Sequence, residues 1–216
     1  MSNKIKGFIF DLDGVITDTA EYHYKSWQTL ADEEDLFFNR EINEQLRGVS
    51  RMDSLEIILD GKEVPEDVKK EWTDRKNAYY QKYLEEISKE NILDDMEEKL
   101  NKLKEEGFKI AVASSSRNAR KVLKNLQISE MFDTISDGNS VENAKPAPDL
   151  FLHTAEKLGL KAEECVVLED AESGVEAALA ADMKAVGVGP QERVGKAHLV
   201  YSNVSDIDFD EILEKI

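Results

Sequence analysis

Phe8-Ile9-Phe10-Asp11-Leu12-Asp13-Gly14-Val15 carries an apolar run into two carboxylates and a glycine. Acids crowded at the end of an apolar strand repel one another and lose solvation, which a divalent cation typically compensates. Residues of like parity in a strand share a side, and Gly14 lets the backbone bend tightly around the pair. The first carboxylate can then attack phosphorus while the second reaches the attacking or leaving hydroxyl as general acid and base. A bare Asp-Leu-Asp-Gly is equally an ordinary loop of turn-forming residues. The strand-like run before it and the partners downstream favour phosphoryl-transfer chemistry.

Apolar runs suited to buried parallel strands recur at residues 5–10, 108–113, 132–135, 165–168 and 185–188. Helical spacing separates most of them. Met96, Leu100 and Leu103 precede Gly107, Val122, Leu123 and Leu126 mark a second helix, and Leu150 to Leu158 a third. This alternation predicts an α/β fold, a doubly wound parallel sheet whose ligand site lies beyond the carboxyl ends of the strands. Between residues 19 and 90 the pattern is helix after helix. Trp27 and Leu30, Leu55 and Leu59, then Trp72, Tyr79, Tyr80 and Tyr83 form stripes suited to a small bundle. The expected organisation is an α/β core of residues 1–18 and 91–216 with a helical cap, residues 19–90, inserted after the first strand. The aromatic stripes read as packing, with no catalytic role.

Partners for the acidic pair follow later strands. Ser114-Ser115-Ser116-Arg117-Asn118 comes after Ile110 to Ala113 and opens a helix, where hydroxyls and backbone N–H groups can hold a phosphate. A triple serine is also a plain capping sequence. Lys145, in Ala144-Lys145-Pro146-Ala147-Pro148-Asp149, can neutralise charge on a phosphoryl group. Lys145-Pro146 is a candidate cis bond, because X-Pro pairs pay little for that isomer. Glu169 and Asp170 end the run Val166-Val167-Leu168, and hard oxygen ligands of this kind suit magnesium. His153 and His198 read as structural.

Composition sets the outer bounds. A chain of 216 residues can bury an ordinary core, and its net charge of −18 disfavours nucleic acid or an anionic membrane as partner. An anionic substrate must therefore be met by local cations and a metal. The single cysteine, Cys165, excludes an intrachain disulfide and reads as a core residue. No apolar run reaches the roughly 20 residues of a membrane span. The N-terminal apolar stretch is too short for a signal peptide and already holds the candidate nucleophile, so a cytoplasmic enzyme is expected.

These elements, in this order and at these strand ends, resemble the haloacid dehalogenase superfamily of phosphohydrolases and phosphomutases. The resemblance implies Asp11 as nucleophile, Asp13 as general acid and base, Ser114 as phosphate-binding hydroxyl and Lys145 as cationic anchor. It implies Glu169 and Asp170 as metal-binding acids, which with the crowded pair Asp11 and Asp13 make the expected ligand set for magnesium. Residues 11–23 and 43–51, with Arg75-Lys76-Asn77 and residues 145–149, look like the β-phosphoglucomutase family within it. That likeness implies interconversion of β-glucose 1-phosphate and glucose 6-phosphate through a bisphosphate. It implies sugar-phosphate contacts from Thr19, His23, Trp27, Arg47, Gly48, Val49, Ser50, Arg51, Ser54, Lys76 and Ser114 to Asn118. Arg51 is the candidate for the distal phosphate, since a guanidinium binds two phosphate oxygens at once. His23 is a candidate to bias Asp13 at the hinge. The family match carries small departures at Arg47, Ser115, Arg117 and Ala171. Three other readings stay open: a capped sugar-phosphate phosphatase, a non-catalytic sugar-phosphate sensor and a generic acidic interaction module. A monomer is expected, because a cap needs freedom to open.

Overall fold

The computed structural model of the chain describes residues 5–216, so the first four residues of the 1–18 segment lie outside the described residues. Six strands form one sheet: β1 (Gly7–Phe10), β2 (Lys109–Ala113), β3 (Thr134–Ser136), β4 (Cys165–Glu169), β5 (Lys184–Val188) and β6 (Leu199–Tyr201). Their order is β3-β2-β1-β4-β5-β6, and every pairing is parallel. The chain works outward from β1 to one edge, then returns to β4 and works outward to the other. The strand order thus reverses between β1 and β4, where open α/β sheets bind ligands.

Both faces of the sheet are covered, which explains the near-continuous apolar strands. Phe8, Phe10, Ile110, Val112, Val166 and Leu168 enter one core, while Ile9, Ala111, Ala113, Cys165 and Val167 enter the other. That alternation is the two-residue period of a strand. β6 was absent from the sequence expectation because its three residues form a short, half-buried edge strand with little apolar signal.

Between β1 and β2 the chain forms α1 (Ala20–Glu33), α2 (Arg40–Glu44), α3 (Arg51–Leu59) and α4 (Glu66–Tyr83). Ser50 caps α3, its hydroxyl accepting from the Asp53 amide at 3.2 Å. Pro65 stands at the N-cap of α4, with Glu66 and Asp67 in the first turn of the helix and Lys82 in its last, charges that suit the helix dipole. Trp27, Leu30, Leu55 and Leu59 form a separate small core with Phe38 and Ile58. Tyr80 departs from its stripe: it packs with Leu12, Ile16 and Leu84 in the core beneath the sheet. The remaining helices are α5 (Met96–Glu105), α6 (Ala119–Asn125), α7 (Asp149–Leu158), α8 (Glu172–Ala180), α9 (Gln191–Val194) and α10 (Phe209–Lys215). Lys145-Pro146 is cis. Among the described residues, no helix is long and apolar enough to cross a membrane.

Candidate active site

Register builds the site. Phe10 pairs with Val112 on one side and Leu168 on the other, so Asp11, Ala113 and Glu169 fall in one row across three strands. The Asp11 amide continues the pairing by donating to the Leu168 carbonyl at 2.9 Å. Two acids are thereby set side by side in a buried row, and Lys145 is threaded between them. Its ammonium donates to Asp11 Oδ1 at 2.6 Å, to the Ala113 carbonyl at 3.0 Å, and to Glu169 Oε1. All three donors of the ammonium are used. The second Glu169 oxygen accepts from the Ala171 amide at 3.1 Å. Burial would discharge Lys145, but the charges of Asp11 and Glu169 outweigh it and raise its pKa.

Asp11, Glu169 and Asp170 each offer one oxygen, all within 4.8 Å of one another. Burial, then the charge of Asp11, pushes the Asp170 carboxyl up to about 7 against the pull of Arg47 and Arg193. Burial likewise raises Glu169, despite Lys145. Three buried acids whose ionised forms strain one another are the donor set a hard divalent cation fits. Asp13 stands outside this cluster, contrary to the expectation that its carboxylate shares in the metal set. Its Oδ1 accepts instead from the Thr19 hydroxyl, which lies 2.9 Å from Tyr80 Oη. Burial first, then the Asp11 charge, pushes Asp13 up to about 7, a value suited to gaining and losing a proton near neutrality.

The turn that carries the pair is tight. Gly14 has φ +80°, and a Cβ there would lie 2.4 Å from Asp170 Oδ2. Only glycine lets the β1 loop approach the β4 carboxylate this closely.

A cavity of about 920 Å³ opens above this row, between the sheet's carboxyl edge and α1, α3 and α4. Asp11, Asp13 and Asp170 form its floor; Ser114, Ser115, Ser116, Arg117 and Asn118 form one wall. Arg47, Gly48, Val49, Ser50, Arg51 and Ser54 form the opposite wall, with His23, Trp27 and Lys76 beside them. Of the expected residues, Thr19, Lys145 and Glu169 do not line the cavity; they stand behind those that do.

Several of these side chains already have protein partners. The Ser115 hydroxyl donates to the Gly48 carbonyl at 2.7 Å, stitching the β2 loop to the α2–α3 loop. Ser50 is committed to the α3 cap and Ser54 donates to the Ser50 carbonyl at 2.8 Å, so neither hydroxyl is spare as a donor. Ser114 accepts from the Ser116 amide at 3.1 Å. Arg47 bonds Glu44 at 2.9 Å and Asp170 at 3.2 Å. By contrast Arg51, Lys76 and Arg117 have no carboxylate in ion-pair contact among the described residues, in a chain with 46 acids.

Lys76 is fully enclosed. Its ammonium lies 2.9 Å from His23 Nδ1, 4.9 Å from the Trp27 ring centre and 5.0 Å from that of Tyr80. Burial, then Arg51, holds Lys76 well below its ordinary value. Burial, then Lys76 and Arg51, holds His23 well below 6.5, so the imidazole is neutral and can accept from the ammonium. His23 therefore meets Lys76 and not Asp13, which corrects the expected hinge contact. His198 is structural as expected, Nδ1 accepting from the Ala185 amide at 3.1 Å.

Three residues were missed as site members. Tyr80 and Asn77 line the cavity, and Arg193 donates to the Asp170 carbonyl at 2.6 Å. Asn77 adjoins Lys76 on α4 and was within reach of sequence reasoning. Arg193 carries no local signal, because its partner is placed by the sheet.

Comparisons with known proteins agree with this geometry. The profile of the haloacid dehalogenase-like hydrolases matches residues 8–188. A β-phosphoglucomutase of Bacillus subtilis is 42% identical over 215 residues, covering 98% of this chain and 95% of that one. A phosphorylated carbohydrates phosphatase of Thermotoga maritima is 30% identical over 212 residues, covering 97% of each. The crystal structure of a β-phosphoglucomutase from Clostridium difficile superposes with a TM-score of 0.94 at 41% identity, over 98% of this chain and 96% of that one. The sheet, the carboxylate row and these relatives together establish that the chain belongs to the haloacid dehalogenase-like hydrolase family.

Proposed function

We propose that the chain is a phosphomutase interconverting β-D-glucose 1-phosphate and D-glucose 6-phosphate through an aspartyl phosphate and β-glucose 1,6-bisphosphate. One observation carries this beyond simple hydrolysis: the cavity that holds the Asp11 row also presents Arg51 and Arg117, which have no carboxylate in ion-pair contact among the described residues. A substrate with one phosphate at Asp11 and a second at these cations accounts for both groups. The near full-length likeness to β-phosphoglucomutases supports the same reading.

Phosphorylated Asp11 donates its phosphoryl group to a hydroxyl of the sugar monophosphate while Asp13 takes the hydroxyl proton. The Asp11–phosphorus bond breaks as the sugar–phosphorus bond forms. The bisphosphate then turns round, Asp11 attacks its other phosphate, and Asp13 returns the proton to the departing oxygen. Lys145 neutralises Asp11 and the group it carries, and Ser114 donates to the transferring phosphate. Arg51, Arg117 and Asn118 hold the distal phosphate. Magnesium, at Asp11, Glu169 and Asp170, would neutralise charge on the transferring group. Residues 19–90 act as the cap over core residues 1–18 and 91–216, excluding water that would otherwise hydrolyse the aspartyl phosphate. The enzyme works as a cytoplasmic monomer on sugar phosphates.

A capped sugar-phosphate phosphatase is the second reading, favoured by the Thermotoga maritima relative. Phosphorus NMR on β-glucose 1-phosphate with magnesium and a trace of bisphosphate separates the two. The mutase yields glucose 6-phosphate with little inorganic phosphate; stoichiometric phosphate release would establish the phosphatase and overturn the mutase.

A further inference from the structure

Resting on that reading, we infer that Asn77 is the positioning residue of the distal-phosphate end of the cavity, with Gln81 as its support. Asn77 lies on α4, and its Oδ1 accepts from Arg51 Nη2 at 2.9 Å and from Asn118 Nδ2 at 2.9 Å. One carbonyl oxygen therefore collects a donor from the start of α3 and a donor from the start of α6, on opposite walls of the cavity. Gln81, one turn further along the same face of α4, donates Nε2 to Asn118 Oδ1 at 3.3 Å. The Asn118 amide is thus held at both ends, and only one orientation of its O and N satisfies both contacts.

Arg51 has five N–H donors and Asn77 is the only protein acceptor recorded for them among the described residues. A long side chain with so few contacts would otherwise sample many rotamers. Burial, then the like charge of Arg117, pulls the Arg51 pKa down, so the guanidinium is repelled as well as under-contacted. The neutral Asn77 carbonyl counters this without adding a negative charge that would repel a dianion. An aspartate would bind Arg51 more strongly and spoil the site for phosphate. Among the described residues the amide of Asn77 has no protein acceptor, which leaves it as a further donor on the cavity wall.

The test separates the two ends of the cavity. Acetyl phosphate has a phosphoryl group but no distal phosphate; it esterifies Asp11 with loss of acetate, and water then releases inorganic phosphate. Asn77→Ala should raise KM for β-glucose 1-phosphate about tenfold, with kcat within about twofold, because preorganised binding is lost. Acetyl phosphate turnover should stay at the wild-type level. Gln81→Met, at an exposed position, should give the same split in smaller measure and decides the matter should Asn77→Ala fail to fold. A seam of merely structural value would admit water over Asp11, so equal changes with both substrates would overturn the role of Asn77. An unchanged KM in both variants would do the same. A wild-type chain that isomerises no glucose phosphate would overturn the mutase reading itself.

Discussion

Replacing Lys145 by methionine keeps an unbranched apolar stem and removes the ammonium, which also stands 4.8 Å from the Phe151 ring centre, so the cost can be worked from the contacts. Asp11 Oδ1, Glu169 Oε1 and the Ala113 carbonyl would lose their donor together, inside a region where Lys145 and Glu169 have no exposed side-chain surface. Removing one partner of a buried ion pair costs about 3–5 kcal/mol. Part of this is recovered, because burial already raises the pKa of Glu169 and the emptied site can take up a proton. A net loss of about 3 kcal/mol near pH 7 follows, and for a chain of this size that lowers Tm by about 6–12 °C. Added magnesium should restore much of it, since a cation bound at one hundred times its Kd contributes about 2.7 kcal/mol. Differential scanning calorimetry of both proteins with and without magnesium measures the effect. A Tm equal to that of the wild type in metal-free buffer would refute the account of Lys145 as the charge that makes the carboxylate row tolerable.

Asp13→Asn should lower mutase turnover by about 10²–10⁴-fold while phosphate incorporation into Asp11 from acetyl phosphate survives; loss of both would mean Asp13 is not specifically the proton carrier. His23 is held neutral, so as pH falls below 6.5 the unfolded chain binds a proton that the folded chain refuses, and stability falls by up to about 1.4 kcal/mol per pH unit. His23→Gln should remove that slope in urea titrations between about pH 5 and 7; parallel slopes in the two proteins would contradict the burial argument. At Gly174 a Cβ would stand 1.9 Å from Glu169 Oε1, so Gly174→Ala should destabilise by about 2 kcal/mol although alanine is the better helix former. A higher Tm for that variant would show that Glu169 has room to move.

Sequence reading recovered the parallel sheet because both faces are buried and the strands are near-continuous apolar runs. It singled out Asp11, Glu169 and Asp170 because each ends or follows such a run, and Lys145 by its charge, and the fold brings these four side chains together. It lost β6, whose residues are only half-buried at an edge, and it miscast Tyr80, whose helical stripe concealed that α4 leans one face onto the sheet's core. It put Asp13 among the metal acids with Asp11, Glu169 and Asp170, whereas the Asp13 side chain turns to Thr19. It set His23 to bias Asp13 at the hinge, whereas Lys76, 53 residues away, is the hydrogen-bond neighbour of its Nδ1. Local pattern reports strand ends well; which of two carboxylates faces a cation depends on contacts that only the assembled chain creates.

The bond between Lys145 and Asp11 spans 134 residues, and the acids beside them come later still. No fragment ending before Asp170 contains the complete constellation, so the aspartate remains an ordinary carboxylate while the polypeptide is being made. Long loops must close before any reward for closing them arrives, which places assembly of this centre late in folding. Reactivity toward activated phosphates therefore switches on together with the finished tertiary structure, and an incompletely folded molecule is chemically silent.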